Sequence, residues 1–168
     1  MEKSLTDSIL KVCSILNKHS VKYLIIGGTA VAFYGYYRQS TSTEGLPTEK
    51  NDLDFWYNPV YENYFKLLDA LEELGLDISK FRKEKAPNPK KSFFKYEFDR
   101  FKIDFLPEVP GFSKFYTAYN KKEISIINGI EIPVISYADL IVNKRINARP
   151  KDIKDIEELE SKIKKRKQ

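Results

Sequence analysis

A small mixed β-sheet backed by helices, an α+β architecture in one domain, is what this sequence predicts, and three observations carry it. In the first half, short apolar runs with strand character alternate with amphipathic helical segments, giving strand, helix, strand, helix. Further along, two pairs of strand-like runs are each joined by a two-residue turn, Asp99-Arg100 and Asn128-Gly129, so antiparallel hairpins must accompany the early units. The chain has 168 residues, 42% of them hydrophobic and 32% charged, a length that suits one core.

Taken in order, the stripe Leu5, Ile9, Val12, Cys13 and Leu16 predicts a helix over 4–18. Tyr23-Leu24-Ile25-Ile26 reads as a strand halted by Gly27-Gly28, after which a short helix over 28–36 closes at Gly35. The polar segment 39–51, with Gly45 and Pro47 and no period, is expected to be a loop, long enough to fold over a substrate or to be disordered without one. A strand over 53–57 and a helix over 60–74 follow, then a basic loop over 80–91 and strands over 93–98 and 101–106. The remainder reads as a short helix near 112–119, strands over 123–127 and 130–135, and helices over 136–147 and 150–165. Pro150 suits the first turn of the last helix, and Ile153, Ile156, Leu159 and Ile163 give it a stripe to bury.

Several function classes drop out on composition. No apolar stretch approaches the roughly 20 residues that span a bilayer, and the first twenty residues mix acids and bases in a way no secretory signal does, so a cytoplasmic protein without membrane contact is expected. Cys13 is the only cysteine and His19 the only histidine, which argues against a disulfide, a structural zinc site and any catalytic pair built on histidine. The net charge of +5 is concentrated in Lys80, Arg82, Lys83, Lys85, Lys90 and Lys91 and in a basic tail over 162–168; such clusters suit a polyanion or are simply solvated.

The residues that carry chemistry are three aspartates. In Asp52-Leu53-Asp54-Phe55-Trp56, strand alternation sends Asp52 and Asp54 to one face and Leu53 and Phe55 to the other. Two carboxylates side by side repel unless a proton or a cation stands between them, and a divalent ion is the usual solution where phosphates are handled. The same phase in Phe101-Lys102-Ile103-Asp104-Phe105 isolates Asp104 from its apolar neighbours. If the two strands adjoin, three carboxylates converge in the manner of a two-magnesium phosphoryl-transfer site. Gly27 and Gly28, between a strand and a helix start, fit the same picture, because a backbone without side chains approaches a triphosphate closely.

Together these motifs resemble the minimal nucleotidyltransferases of the DNA polymerase β-like superfamily, most of all the branch related to abortive-infection toxins. The resemblance rests on Ile26-Gly27-Gly28-Thr29-Ala30, Gly35, Arg38, Asn51-Asp52-Leu53-Asp54-Phe55 and Ile103-Asp104-Phe105. It ends on Ala138 to Arg145 and Arg149-Pro150-Lys151-Asp152-Ile153-Lys154-Asp155. It implies the polymerase β-like fold and transfer of a nucleoside monophosphate from an NTP to an acceptor hydroxyl. Asp52 and Asp54 would hold two Mg2+ ions, and Asp104 would complete one of them and help deprotonate the acceptor. Gly27, Gly28, Thr29, Arg38 and Lys144 would bind the nucleotide, while Arg149, Asp152 and Asp155 would fix their helix against the site. Where many members carry serine after the first glycine, this chain has Gly28. The acceptor expected is RNA such as tRNA, or a protein, with an antibiotic-sized molecule as a sub-case and a toxin or antitoxin as partner. The rival expectation is a catalytically silent module that kept the fold to bind RNA or protein.

Overall fold

The computed structural model describes residues 3–37 and 50–166. Its elements are α1 (Lys3–Lys18), β1 (Tyr23–Ile25), α2 (Gly27–Phe33), β2 (Asn51–Tyr57), α3 (Tyr61–Glu73) and α4 (Ser79–Arg82), followed after a 3-10 turn at Pro89–Lys91 by β3 (Phe94–Glu97) and β4 (Phe101–Leu106). The chain continues through α5 (Phe115–Tyr119), β5 (Glu123–Ile127), β6 (Ile130–Val134), α6 (Tyr137–Asn147) and α7 (Pro150–Arg166). Both turns read from sequence close antiparallel hairpins, β3 with β4 and β5 with β6. The six strands form one mixed sheet in the order β3-β4-β2-β1-β6-β5, with β2 parallel to β4 and β1 parallel to β6.

Alternation divides the sheet into two faces. On β4, Phe101, Ile103 and Phe105 are buried while Lys102, Asp104 and Leu106 are half-buried, and on β2 the buried Leu53 and Phe55 alternate with half-buried Asp52 and Asp54. The apolar face carries the core. Tyr64 and Leu67 of α3 are fully buried there, Tyr64 packing on Phe94, and α1 lies beside α3 and along β6. Phe55 stacks on Phe105, ring centres 4.8 Å apart, which pins the register of the parallel pair one step from the acids.

Two features differ from the sequence reading. The basic segment over 80–91 is not wholly irregular: the Asp77 carboxylate accepts from the Ser79 amide at 2.9 Å and its hydroxyl at 2.6 Å, starting α4, and Phe81 then packs on Phe94. The apolar stripe of α7 also faces inward only in part. Leu159 is buried and Ile156 packs half-buried against the core, but Ile153 is 49% exposed, because Asp152 and Asp155 take inward positions beside them. Their partner, described below, outweighs the apolar preference. Arg38 and most of the 39–51 loop lie outside the described residues.

Candidate active site

On the polar face, β2 and β4 deliver the acids to one place. Their parallel register sets Asp54 opposite Asp104, with Asp52 two residues up β2. All three line a cavity of about 480 Å³. The far end of the same face is closed, since Trp56 is roofed by Phe112 and Phe115 and donates its indole N–H to the Pro107 carbonyl.

Gly27 sits against Asp54. The Ile26 amide donates to the Asp54 carbonyl at 3.0 Å, carrying the glycine turn to the acid strand. Gly27 has φ +63°, and a Cβ there would strike the Asp54 carboxylate, with Cγ at 3.0 Å and the Asp54 Cβ at 3.1 Å. Only glycine satisfies both constraints. Gly28 and Thr29 line the cavity behind it, but the buried Thr29 hydroxyl donates to the Asp52 carbonyl at 3.0 Å, so it braces the acid strand. The N-cap residue of α2, Ile26, has no side-chain group that could cap its first turn.

The opposite wall is the α6 to α7 corner, contributing Asn143, Lys144, Asn147, Arg149 and Lys151. Lys144 is the centre of it. Its ammonium donates to Asp152 Oδ1 at 2.9 Å and Asp155 Oδ2 at 2.7 Å, and all three side chains are buried. Arg149 caps the cluster, donating from Nε to Asp152 Oδ2 at 2.6 Å. Burial alone would raise the Asp152 carboxyl; hydrogen bonds from Arg149 and Lys144 hold it below the ordinary carboxylate range. Acids thus occupy the sheet wall and cations the helical wall, an arrangement suited to a metal-bound anion lying between them.

Asp54 records the crowding. Its carboxyl is pushed up from 3.8 to about 6, first by burial, then by the charges of Asp104 and Asp52, against relief from Lys144 and Lys151. A divalent cation would reverse both causes, and three carboxylates with no histidine or cysteine are the donor set that Mg2+ takes, so the residues fit that ion. Among the described residues, no group of three or more histidine, cysteine, aspartate or glutamate side chains is close enough to hold a metal ion as they stand. Lys95 of β3, directly across from Asp104, places Nζ 3.2 Å from Asp104 Oδ2.

Lys95 was not singled out in the sequence, although counting outward from the Asp99-Arg100 turn pairs it with Asp104. Asn143, Asn147 and Lys151 are further cavity residues without an individual signal. Tyr37 also lines the cavity, whereas the Tyr57 hydroxyl is buried against the Pro89 and Ser92 carbonyls and Tyr61 is exposed on α3. None of the lysines and arginines of 80–91 lines it; Arg82 is paired with Asp69 and Glu72.

The family that this fold and sequence match is one of nucleotidyltransferases. The chain belongs to the family described as nucleotidyl transferase of unknown function (DUF2204), whose model matches residues 5–168. No curated protein matches it. Among solved structures it is similar to the lincosamide antibiotic adenylyltransferase LnuA in its lincomycin-bound form, with TM-score 0.59, 16% identity, and coverage of 96% of this chain and 98% of that one. An antigenic nucleotidyltransferase-like protein from Paracoccidioides brasiliensis gives 0.57 at 15% identity, over 95% and 75% of the two chains. The antibiotic-resistance factor ANT(2'')-Ia gives 0.53 at 16% identity, over 99% and 94%. At such identities the likeness is one of fold.

Proposed function

We propose that this nucleotidyltransferase moves a nucleoside monophosphate from a magnesium-bound NTP to a hydroxyl of a macromolecular acceptor, RNA or protein, and releases pyrophosphate. The observation that carries the chemistry is Asp54, crowded by Asp52 and Asp104 on a cavity whose other wall is cationic. Asp52 and Asp54 would hold two ions and Asp104 one of them. When bound, these ions would activate the attacking oxygen and offset charge on the leaving pyrophosphate. Asp104, on the strand beside the other two acids, would accept the acceptor's proton. Gly27 and Gly28 let the triphosphate reach the backbone, and Arg149 and Lys151 face its charge from the other side. Lys144 acts chiefly by tying α6 to α7, which sets where those two cations stand.

The macromolecular reading rests on the basic surface of 80–91 and of the end of α7, and it includes the abortive-infection affinity and a role as one half of a toxin and antitoxin pair. A second reading, a small antibiotic-like hydroxyl acceptor, is favoured by the absence of that basic surface from the cavity lining and by the fold shared with LnuA and ANT(2'')-Ia. Incubation with each α-labelled NTP, Mg2+ and either total RNA, total protein or a lincosamide and aminoglycoside panel separates the two. Label should appear on a macromolecule with the wild type and on nothing with Asp52→Asn or Asp54→Asn. Label confined to a small molecule selects the second reading. RNA binding that survives both substitutions, with no labelled product from the wild type, would instead establish the silent module. Growth arrest on expression, abolished by Asp54→Asn, is the expected sign of the toxin role.

A further inference from the structure

We propose that Lys95 is a built-in counter-cation: it holds Asp104 in the empty cavity and yields it when nucleotide brings its own metal ion, so that bare divalent ions bind poorly. This rests on the metal-dependent reading above. The ammonium lies 3.2 Å from Asp104 Oδ2, lines the same cavity as all three acids, and projects from the residue opposite Asp104 on the neighbouring strand. Its root is fixed and its head is not. On either side of it, Phe94 is fully buried among Tyr57, Tyr64 and Phe81, and the Tyr96 hydroxyl donates to the Asp77 carbonyl at 3.2 Å, whereas the Lys95 side chain is 68% exposed.

A cross-strand ion pair can also be a simple register clasp on an edge strand. That need is already met one step along the hairpin, where Glu97 draws Lys50 at 2.5 Å and Lys102 at 3.9 Å. The Lys95 pair differs in engaging an acid of the catalytic wall. A divalent ion carries twice the charge of the ammonium but must first displace it, and an exposed pair of this kind is weak enough to be displaced. Bound triphosphate then gives the released ammonium a new anionic partner within reach of its stem. The pair weakens bare-ion binding a few-fold, and metal-bound nucleotide overcomes it.

The test measures Mn2+ binding by electron paramagnetic resonance without nucleotide, and Mg·NTP binding by calorimetry, in wild type, Lys95→Met, Lys95→Arg and Lys66→Met. Lys95→Met should bind bare Mn2+ roughly threefold to fivefold more tightly, the loss of a competitor worth up to about 1 kcal/mol, and Mg·NTP no more tightly than wild type. Lys95→Arg should restore the wild-type values, which a mere packing role would not require. Lys66→Met removes the same charge from α3, where Lys66 pairs with Glu62, and should stay within about twofold of wild type. Bare-ion affinity in Lys95→Met equal to wild type, or matched by Lys66→Met, overturns the inference while leaving metal dependence intact. Mn2+ binding that survives Asp54→Asn removes the metal reading itself, and the Lys95 inference with it.

Discussion

Replacing Asp54 by asparagine should make the metal-free protein more stable while abolishing its chemistry. The folded carboxyl titrates near 6 instead of 3.8, so between those two pH values the native state holds a proton that the unfolded chain has lost. Stability associated with this group is fully present below 3.8 and falls as pH rises to about 6. At 1.36 kcal/mol for each pH unit of that interval, the native state loses up to about 3 kcal/mol by neutral pH, and relaxation of the half-buried site makes 1–3 kcal/mol a fair range. Asparagine keeps the shape and removes the charge, so Asp54→Asn should recover that amount at pH 7.5, raising Tm by roughly 3 to 9 °C. Urea unfolding in EDTA at pH 7.5 and pH 4 reads it directly. The two proteins should differ at pH 7.5 and converge at pH 4, where wild-type Asp54 is protonated too. Added Mg2+ should stabilise the wild type alone. A variant that is less stable at pH 7.5, or a difference independent of pH, would refute the account of a crowded acid awaiting a cation.

The other expectations concern the walls of the cavity. Gly27→Ala forces a Cβ into the Asp54 carboxylate at a positive φ, and should cost about 1–3 kcal/mol in urea unfolding and at least tenfold in Mg·NTP affinity by calorimetry. Lys144→Met strands two buried carboxylates and should destabilise by about 3–5 kcal/mol, much of it recovered when Asp152→Asn and Asp155→Asn are added, as denaturant midpoints will show. Divalent-ion affinity should decline as pH falls through about 6, since Asp54 must give up its proton to bind, and the decline should vanish in Asp54→Asn along with the binding.

Much of this was legible in the residues, for identifiable reasons. Strand alternation is rigid, so Asp52, Asp54 and Asp104 could be assigned to a polar face from their apolar neighbours alone, and the structure puts them there. Two-residue turns fix register, so both hairpins followed from Asp99-Arg100 and Asn128-Gly129, and the Lys95 to Asp104 pairing was within reach by the same count. What the sequence could not convey was the adjacency of β2 and β4, because parallel neighbours carry no turn between them. On α7, Ile153 alone of the stripe was misplaced, for another reason. Periodicity scores apolar side chains, and it has no means of knowing that a buried Lys144 on a different helix turns two aspartates inward in place of Ile153.

The neighbouring placement of β2 and β4 also bears on when in folding the protein becomes competent. Asp54 and Asp104 meet only after about fifty intervening residues, α3, α4 and the β3 hairpin among them, have taken their places. Closing so long a segment is slow and comes with global collapse, not with local hairpin formation. A nascent or half-assembled chain therefore has not yet brought Asp54 opposite Asp104, and any chemistry that needs both acids waits until β2 and β4 have paired.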